Sequence, residues 1–249
     1  MSCSIEESPA VASARAIDLN ADLGEGFPND RALLELVTSA SISCGAHAGS
    51  VETIRETLSD ARETGVRVGA HPGYPDREGF GRRNIEMSPG QITDLIVEQV
   101  HLLSRLATEF GLKLAYIKPH GALFNQAQRE PRIAEGVLAA TQDLALPVFG
   151  QPGSLLEEMA RARGLRFVAE GFPDRRYRED GTLVARTEPG AILHTPEEVE
   201  AQVIRLVDDG RVETLCIHGD DPRAVANATL VRAILDRAGI GVRAFRDRS

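Results

Sequence analysis

The chain has 249 residues, 42% of them hydrophobic, and a formal net charge of −9. This length allows one large domain or two small ones, with apolar content ample for a core. The acidic balance argues against a nucleic-acid surface, which needs a basic excess, and no run approaches the ~20 apolar residues of a membrane span.

Residues 1–15 mix Ser, Glu and Ala without an apolar signal core and read as a loose N-terminal tail. The three cysteines, Cys3, Cys44 and Cys216, are odd in number and far apart, and two of them end strand-like runs. That pattern suits a reducing, cytoplasmic compartment better than a disulfide framework. Strands are expected at Ala16 to Asn20, Ala40 to Ser43, Val66 to Ala70, Leu112 to Lys118, Leu146 to Gly150, Leu165 to Glu170, Leu215 to His218 and Ile240 to Phe245. Several begin directly after a glycine that ends a helix, as at Gly65, Gly111, Gly164 and Gly239, where glycine takes the left-handed conformation. Helix starts are marked by Ser50, by Ser88-Pro89-Gly90-Gln91, by Thr195-Pro196-Glu197-Glu198 and by Asp221-Pro222. From Ile92 to Phe110 apolar residues recur at helical spacing. The polar, arginine-rich stretch Phe172 to Pro189, with Asp180-Gly181 as a turn, is a candidate lid or small hairpin.

Strands alternating with helices over short connections imply parallel strands covered by helices. Seven or eight such units suit a closed or nearly closed (β/α) barrel, with an open doubly wound sheet as the alternative. No linker divides the chain, so residues 16–249 read as a single domain.

In such folds ligands gather at the carboxyl ends of the strands. The residues found there are Asn20, Asp22 and Glu25; Cys44 and His47; His71; Lys118 and His120; Glu170, Asp174 and Arg175; and His218 and Asp220. Four of the six histidines fall on that one rim, beside glycine or proline, where glycine lets a ligand approach the backbone. His101, inside a helix, and His194, just before one, read as structural. Lys118 is one of only two lysines, and a lysine kept at the end of a buried strand points to a role that needs an amine. It can polarise a carbonyl or hold a carboxylate or phosphate, unless it only snorkels to solvent. The carboxylates and imidazoles offer acid–base pairs near neutral pH. Histidines with Asp22 could hold a divalent metal, but HxxxH and HExxH spacings are absent and the metal signal is weak. Cys44 reads as a small buried thiol rather than a nucleophile. Arg82-Arg83 could clamp an anion or be a solvated pair. Neither a Walker A motif nor a GxGxxG after a strand is present.

Asp18 to Glu25, Cys44 to Gly49, Gly69 to Asp76, Gly79 to Arg83, Lys118 to Leu123 and Cys216 to Asp220, in order along the chain, resemble the signatures of the 5-oxoprolinase A-subunit family, also called the lactam-utilisation family. The resemblance implies a distorted TIM-like barrel akin to the polysaccharide deacetylases. It also implies ATP-dependent opening of 5-oxoproline to L-glutamate with partner subunits B and C. ATP would then be a cofactor, handled here or by the partners. Catalytic roles fall to Asp22, His71, Lys118, His120 and His218, and substrate contacts to Asn20, Glu25, His47, Arg82, Asn125, Glu170, Asp174, Arg175 and Asp220. No residue is assigned as a metal ligand, and assembly with further copies of the chain is left open. Ala46 for Phe, Ser50 for Asp and Phe124 for Tyr depart from the family pattern and bear on the substrate. The alternatives are a metal-dependent carbohydrate deacetylase or amidase, and a non-catalytic lactam- or sugar-binding subunit.

Overall fold

The computed structural model describes residues 15–184, 186, 188–193 and 195–246. Cys3 and His194, together with residues 1–14 of the expected tail, lie outside them. The elements are β1 (Ala16–Leu23), α1 (Asp30–Leu34), β2 (Ser39–Ser43), α2 (Val51–Thr64), β3 (Arg67–His71), α3 (Pro89–Glu109), β4 (Leu114–Ile117), α4 (Gly121–Ala127), α5 (Pro131–Leu144), β5 (Val148–Gly150), α6 (Leu155–Ala162), β6 (Phe167–Gly171), α7 (Pro196–Asp208), β7 (Thr214–His218), α8 (Ala224–Arg237) and β8 (Gly241–Val242). Every named strand pairing is parallel.

Strands β1 to β7 pair in sequence order and close between β1 and β2 on one side and β1 and β7 on the other. The result is a seven-stranded barrel, not an open sheet. Strand β8 is extra. The carbonyls of Ile17 and Leu19 lie two residues apart and so face the same edge of β1. Ile17 accepts from Arg243 at 2.9 Å, and Leu19 accepts from Thr38, just before β2, at 2.8 Å. Strand β8 therefore fills the gap below β2 on that edge.

The helix signals hold at most places. Ser88 with Gln91 and Thr195 with Glu198 form complete capping boxes, and Ser50 caps α2. Several expected bounds shift, among them β1, which runs on to Leu23 rather than ending at Asn20. Helix α8 begins at Ala224 rather than at Pro222, because the Asp221 carbonyl and carboxylate first hold a turn through the amides of Ala224 and Arg223. Strand β8 stops at Val242 rather than Phe245, because the chain then turns its phenyl ring inward.

Alternation along β1 sets the character of the interior. Ile17, Leu19, Ala21 and Leu23 pack outward into the apolar layer beneath the helices, with Leu33, Ile54, Leu58, Ile96 and Val231. Asp18, Asn20 and Asp22 lie on the other face and are also buried. In a half-buried strand such alternation marks a face in water; here the polar face is the inside of the barrel. Ser39, Ser41 and Ser43 of β2 and Thr214 of β7 continue that lining. Below it the barrel is closed by stacked Tyr116 and Phe149, with ring centroids 4.0 Å apart, and by Phe245 set edge-on to both. Gly69 makes room for this plug, since a Cβ there would lie 2.3 Å from the Tyr116 ring.

Phe245→Ala removes the outermost ring of the plug and should cost about 3–5 kcal/mol. The loss should be read as a lower urea midpoint at unchanged slope. A change below about 1 kcal/mol, within the range of surface substitutions, would mean that the ring does not close the barrel.

Candidate active site at the carboxyl rim of the barrel

Lys118 follows β4 and is 2% exposed. Its Nζ lies 2.7 Å from Asp22 Oδ1, 2.8 Å from Glu170 Oε1, 2.9 Å from Cys216 Sγ and 3.2 Å from Asn20 Oδ1. Asn20 is oriented by its own amide, which donates to Glu170 and Thr214. The lysine is thus held, not snorkelling. Burial opposes its charge, but Asp22, Cys216 and Glu170 raise its pKa well above the ordinary value. Burial likewise opposes the charge on Asp22, but His71, Lys118 and His218 draw it below the usual carboxylate range. Glu170 goes the other way. Burial, together with Asp22, pushes it up to about 7, although Lys118 pulls down. Two carboxylates sharing one ammonium are thereby driven apart.

Above this triad sit the imidazoles. His71 Nδ1 donates to the Lys118 carbonyl at 2.7 Å, and His120 Nε2 donates to the Phe80 carbonyl at 2.8 Å. His47 stacks on His120 with centroids 3.8 Å apart, and its Nε2 is 3.1 Å from Glu25 Oε1. Burial draws His71 down to about 4 and His47 to about 2, so both are neutral at pH 7. Phe80 takes φ 53°, a costly conformation for a bulky residue, and this turn is where its carbonyl meets His120. A Cβ on Gly81 would come within 2.9 Å of both His47 and His120. That rim glycine makes room for imidazoles rather than for a ligand.

His218, at the end of β7, donates from Nδ1 to Asp174 Oδ2 at 2.8 Å and stacks against Phe172. Burial lowers its pKa although Asp174 pulls upward, leaving a neutral imidazole whose Nδ1 is committed. The stretch from Phe172 is a small hairpin, with antiparallel bridges Arg175–Ile192 and Tyr177–Leu183 and the Asp180-Gly181 turn. Arg175 is buried and donates to the Val184 carbonyl at 2.7 Å.

These groups surround a cavity of about 290 Å³. Asp22, His71, Arg82, Lys118, His120, Asn125, Arg175 and His218, all expected as site residues, line it. Asn20, Glu25, His47, Glu170, Asp174 and Asp220 are not in its wall. They stand one layer behind and hold the groups that are, Asp220 by accepting from both Arg82 and Arg186. Sequence reasoning missed Cys216 beside Lys118, and Arg129 and Arg186 in the cavity wall. Alternation in β7, which puts Cys216 on the face of His218, could have found the first; the arginines carry no sequence signal beyond charge. Cys44 is a buried thiol pushed up to about 12 by burial, as expected, and Arg83 turns away to Asp76 and Glu78. His101 is exposed on α3. A larger hollow, about 750 Å³, opens at the opposite end of the strands among Val66, Leu114, Leu146 and Arg166, but neither histidine nor carboxylate lines it.

A parallel barrel of this kind, with its titratable groups gathered at one rim, is the distorted TIM-like fold of the polysaccharide deacetylases. The catalytic domain of a peptidoglycan N-acetylglucosamine deacetylase from Eubacterium rectale superposes with a TM-score of 0.55 over 98% of this chain and 94% of that one, at 13% identity. The chain belongs to the LamB/YcsF family, whose model matches residues 17–249. It is 44% identical to the A-subunit of a 5-oxoprolinase from Gluconobacter oxydans, over 94% of this chain and 99% of that protein. It is also similar to a lactam utilization protein from Thermus thermophilus, with a TM-score of 0.85 and 40% identity, over 92% of this chain and all of that one. Among the described residues no helix is long and apolar enough to cross a membrane.

Glu170 supplies a pH test. Its pKa is raised on folding, so the folded chain binds more protons than the unfolded one between about pH 4.5 and 7, and the associated stability is lost as pH rises through that window. Relative to Glu170→Gln, the wild type should lose on the order of 3 kcal/mol between about pH 4.5 and 8. Urea denaturation of both chains at several pH values reads this, and parallel curves would show that Glu170 does not titrate there.

Proposed function

We propose that this chain is the ring-opening subunit of an ATP-dependent 5-oxoprolinase that converts 5-oxoproline to L-glutamate. In this reading partner subunits B and C carry out the phosphorylation, consistent with the missing phosphate loop. The name borne by the Gluconobacter relative supports the substrate. The observation that carries the chemistry is that the His218–Asp174 pair and the Lys118–Asp22 pair open onto one cavity.

A lactam amide resists hydrolysis. Transfer of a phosphoryl group from ATP to its oxygen releases ADP and leaves an electrophilic ring carbon. Water adds to that carbon, the C–N bond breaks with the nitrogen taking up protons, and an acyl phosphate remains. A second water converts it to carboxylate and inorganic phosphate. His218 suits the proton transfers: neutral, held by Asp174 through Nδ1, it takes a proton from water and returns one to the departing nitrogen. Asp22 is a poor base while Lys118 keeps it ionised; its role is to fix the ammonium that faces the negative charge developing on oxygen. Arg82, Arg129, Arg175 and Arg186 supply positive charge for the substrate carboxylate and the phosphoryl group.

With subunits B and C, ATP and 5-oxoproline supplied, His218→Asn should lower the rate of glutamate formation about 10²–10⁴-fold, and Asp22→Asn should also lower it. Full activity in both would overturn the assignment. The isolated chain should not hydrolyse ATP when 5-oxoproline is added; if it does, the division of labour is wrong.

A further inference from the structure

Three imidazoles and a carboxylate converge in a way that hydrogen bonding among them does not satisfy. Glu25 Oε1 lies 3.1 Å from His47 Nε2, 3.5 Å from His120 Nδ1 and 3.8 Å from His71 Nε2. The last two nitrogens are 2.9 Å from each other. A neutral imidazole carries one N–H. His71 uses its hydrogen at Nδ1 on the Lys118 carbonyl, and His120 uses its own at Nε2 on the Phe80 carbonyl. A carbonyl only accepts, so both tautomers are fixed. The two nitrogens that face each other therefore both present lone pairs, and both are turned toward a carboxylate oxygen. A cation belongs among them.

We propose that Glu25, His47, His71 and His120 are the ligands of one divalent transition-metal ion of the zinc class. Ligands at about 2.0–2.2 Å in a tetrahedron stand about 3.3–3.6 Å apart. The three separations from Glu25 and the one between His71 and His120, 2.9 to 3.8 Å, bracket that value, and all four donor atoms lie within 4.8 Å of one another. Three imidazoles and one carboxylate suit zinc and its neighbours rather than magnesium or calcium. The carbonyls that hold His71 and His120 are the outer contacts that orient metal-bound imidazoles. The ligands come from four different strand-end segments, which is why no short sequence spacing announces them. The neighbouring group Asp22, Cys216 and His218 has no such need, because Lys118 already supplies its cation. Bound at this position, the ion would add Lewis-acid chemistry to the wall formed by His71 and His120.

The inference does not depend on the lactam substrate, because it is read by binding. The full chain, with any affinity tag removed, is loaded with zinc, passed through gel filtration and assayed for metal. It should retain one zinc per chain and no magnesium, and its cobalt-loaded form should show the visible spectrum of a tetrahedral site. The double variant Glu25→Gln, His120→Asn should bind zinc roughly 100-fold more weakly or worse, while Cys44→Ser should bind as the wild type does. A folded wild type that retains no zinc, or a double variant that holds it as tightly, overturns the proposal. Should the variant fail to fold, the retention and cobalt spectrum of the wild type decide alone.

Discussion

The ammonium of Lys118 is the charge on which the rest of the site depends. An unpaired ion so deeply buried would cost several kcal/mol, and the barrel compensates it from three sides. Asp22 from β1 and Glu170 from β6 are its carboxyl partners, and Asn20 and the Cys216 sulfur complete the acceptors around it. One proton-rich and one proton-poor carboxyl result around a single cation, because His71 and His218 also favour the charge on Asp22, while Asp22 in turn pushes Glu170 up. The lysine's own backbone then reaches the next layer, since its carbonyl fixes the tautomer of His71. A change at Lys118 would therefore be felt in charge, in hydrogen bonding and in imidazole orientation together.

A polar barrel interior is expensive unless every group finds a partner. Asp18 shows how this one manages it: Thr38 and Ser39 donate to one oxygen and Thr214 to the other. Serines on β2 leave space that larger residues would fill, so the long side chains of Lys118 and Tyr116 can cross the barrel. The aromatic plug of Tyr116, Phe149 and Phe245 then separates this interior from the opposite end. The polar groups are left facing the cavity at the carboxyl rim.

Net charge is a poor guide to what such a cavity attracts. The chain is acidic overall, yet Arg82, Arg129, Arg175, Arg186 and Lys118 all line one small space. The local field inside a cleft with low-dielectric walls is set by these groups rather than by the distant surface. Asp220 spaces Arg82 from Arg186 and keeps two like charges at the rim. The hairpin that carries Arg175 and Arg186 also covers His218 with Phe172, so these arginines and the His218–Asp174 pair share one wall.

Much of the fold was written in the chain. Capping boxes at Ser88 and Thr195 and the glycine that ends α2 are local devices, and local energetics decide them. Strand–helix alternation implied parallel pairing, and the strand-end rule picked out Asp22, His71, Lys118, His120 and His218, which line one cavity because strand ends of a parallel barrel converge on one rim. A closed barrel was the leading expectation, but that it closes with seven strands, the place of β8 and the inward turn of Phe245 were not legible, since they depend on twist and register accumulated over the whole sheet. The sequence also could not say that Glu25 and His47 stand behind the cavity wall while Arg129 and Arg186 enter it. Residue type, spacing and period are properties of neighbours along the chain. Which nitrogen faces which oxygen across a hundred residues is decided only when the strands are packed side by side.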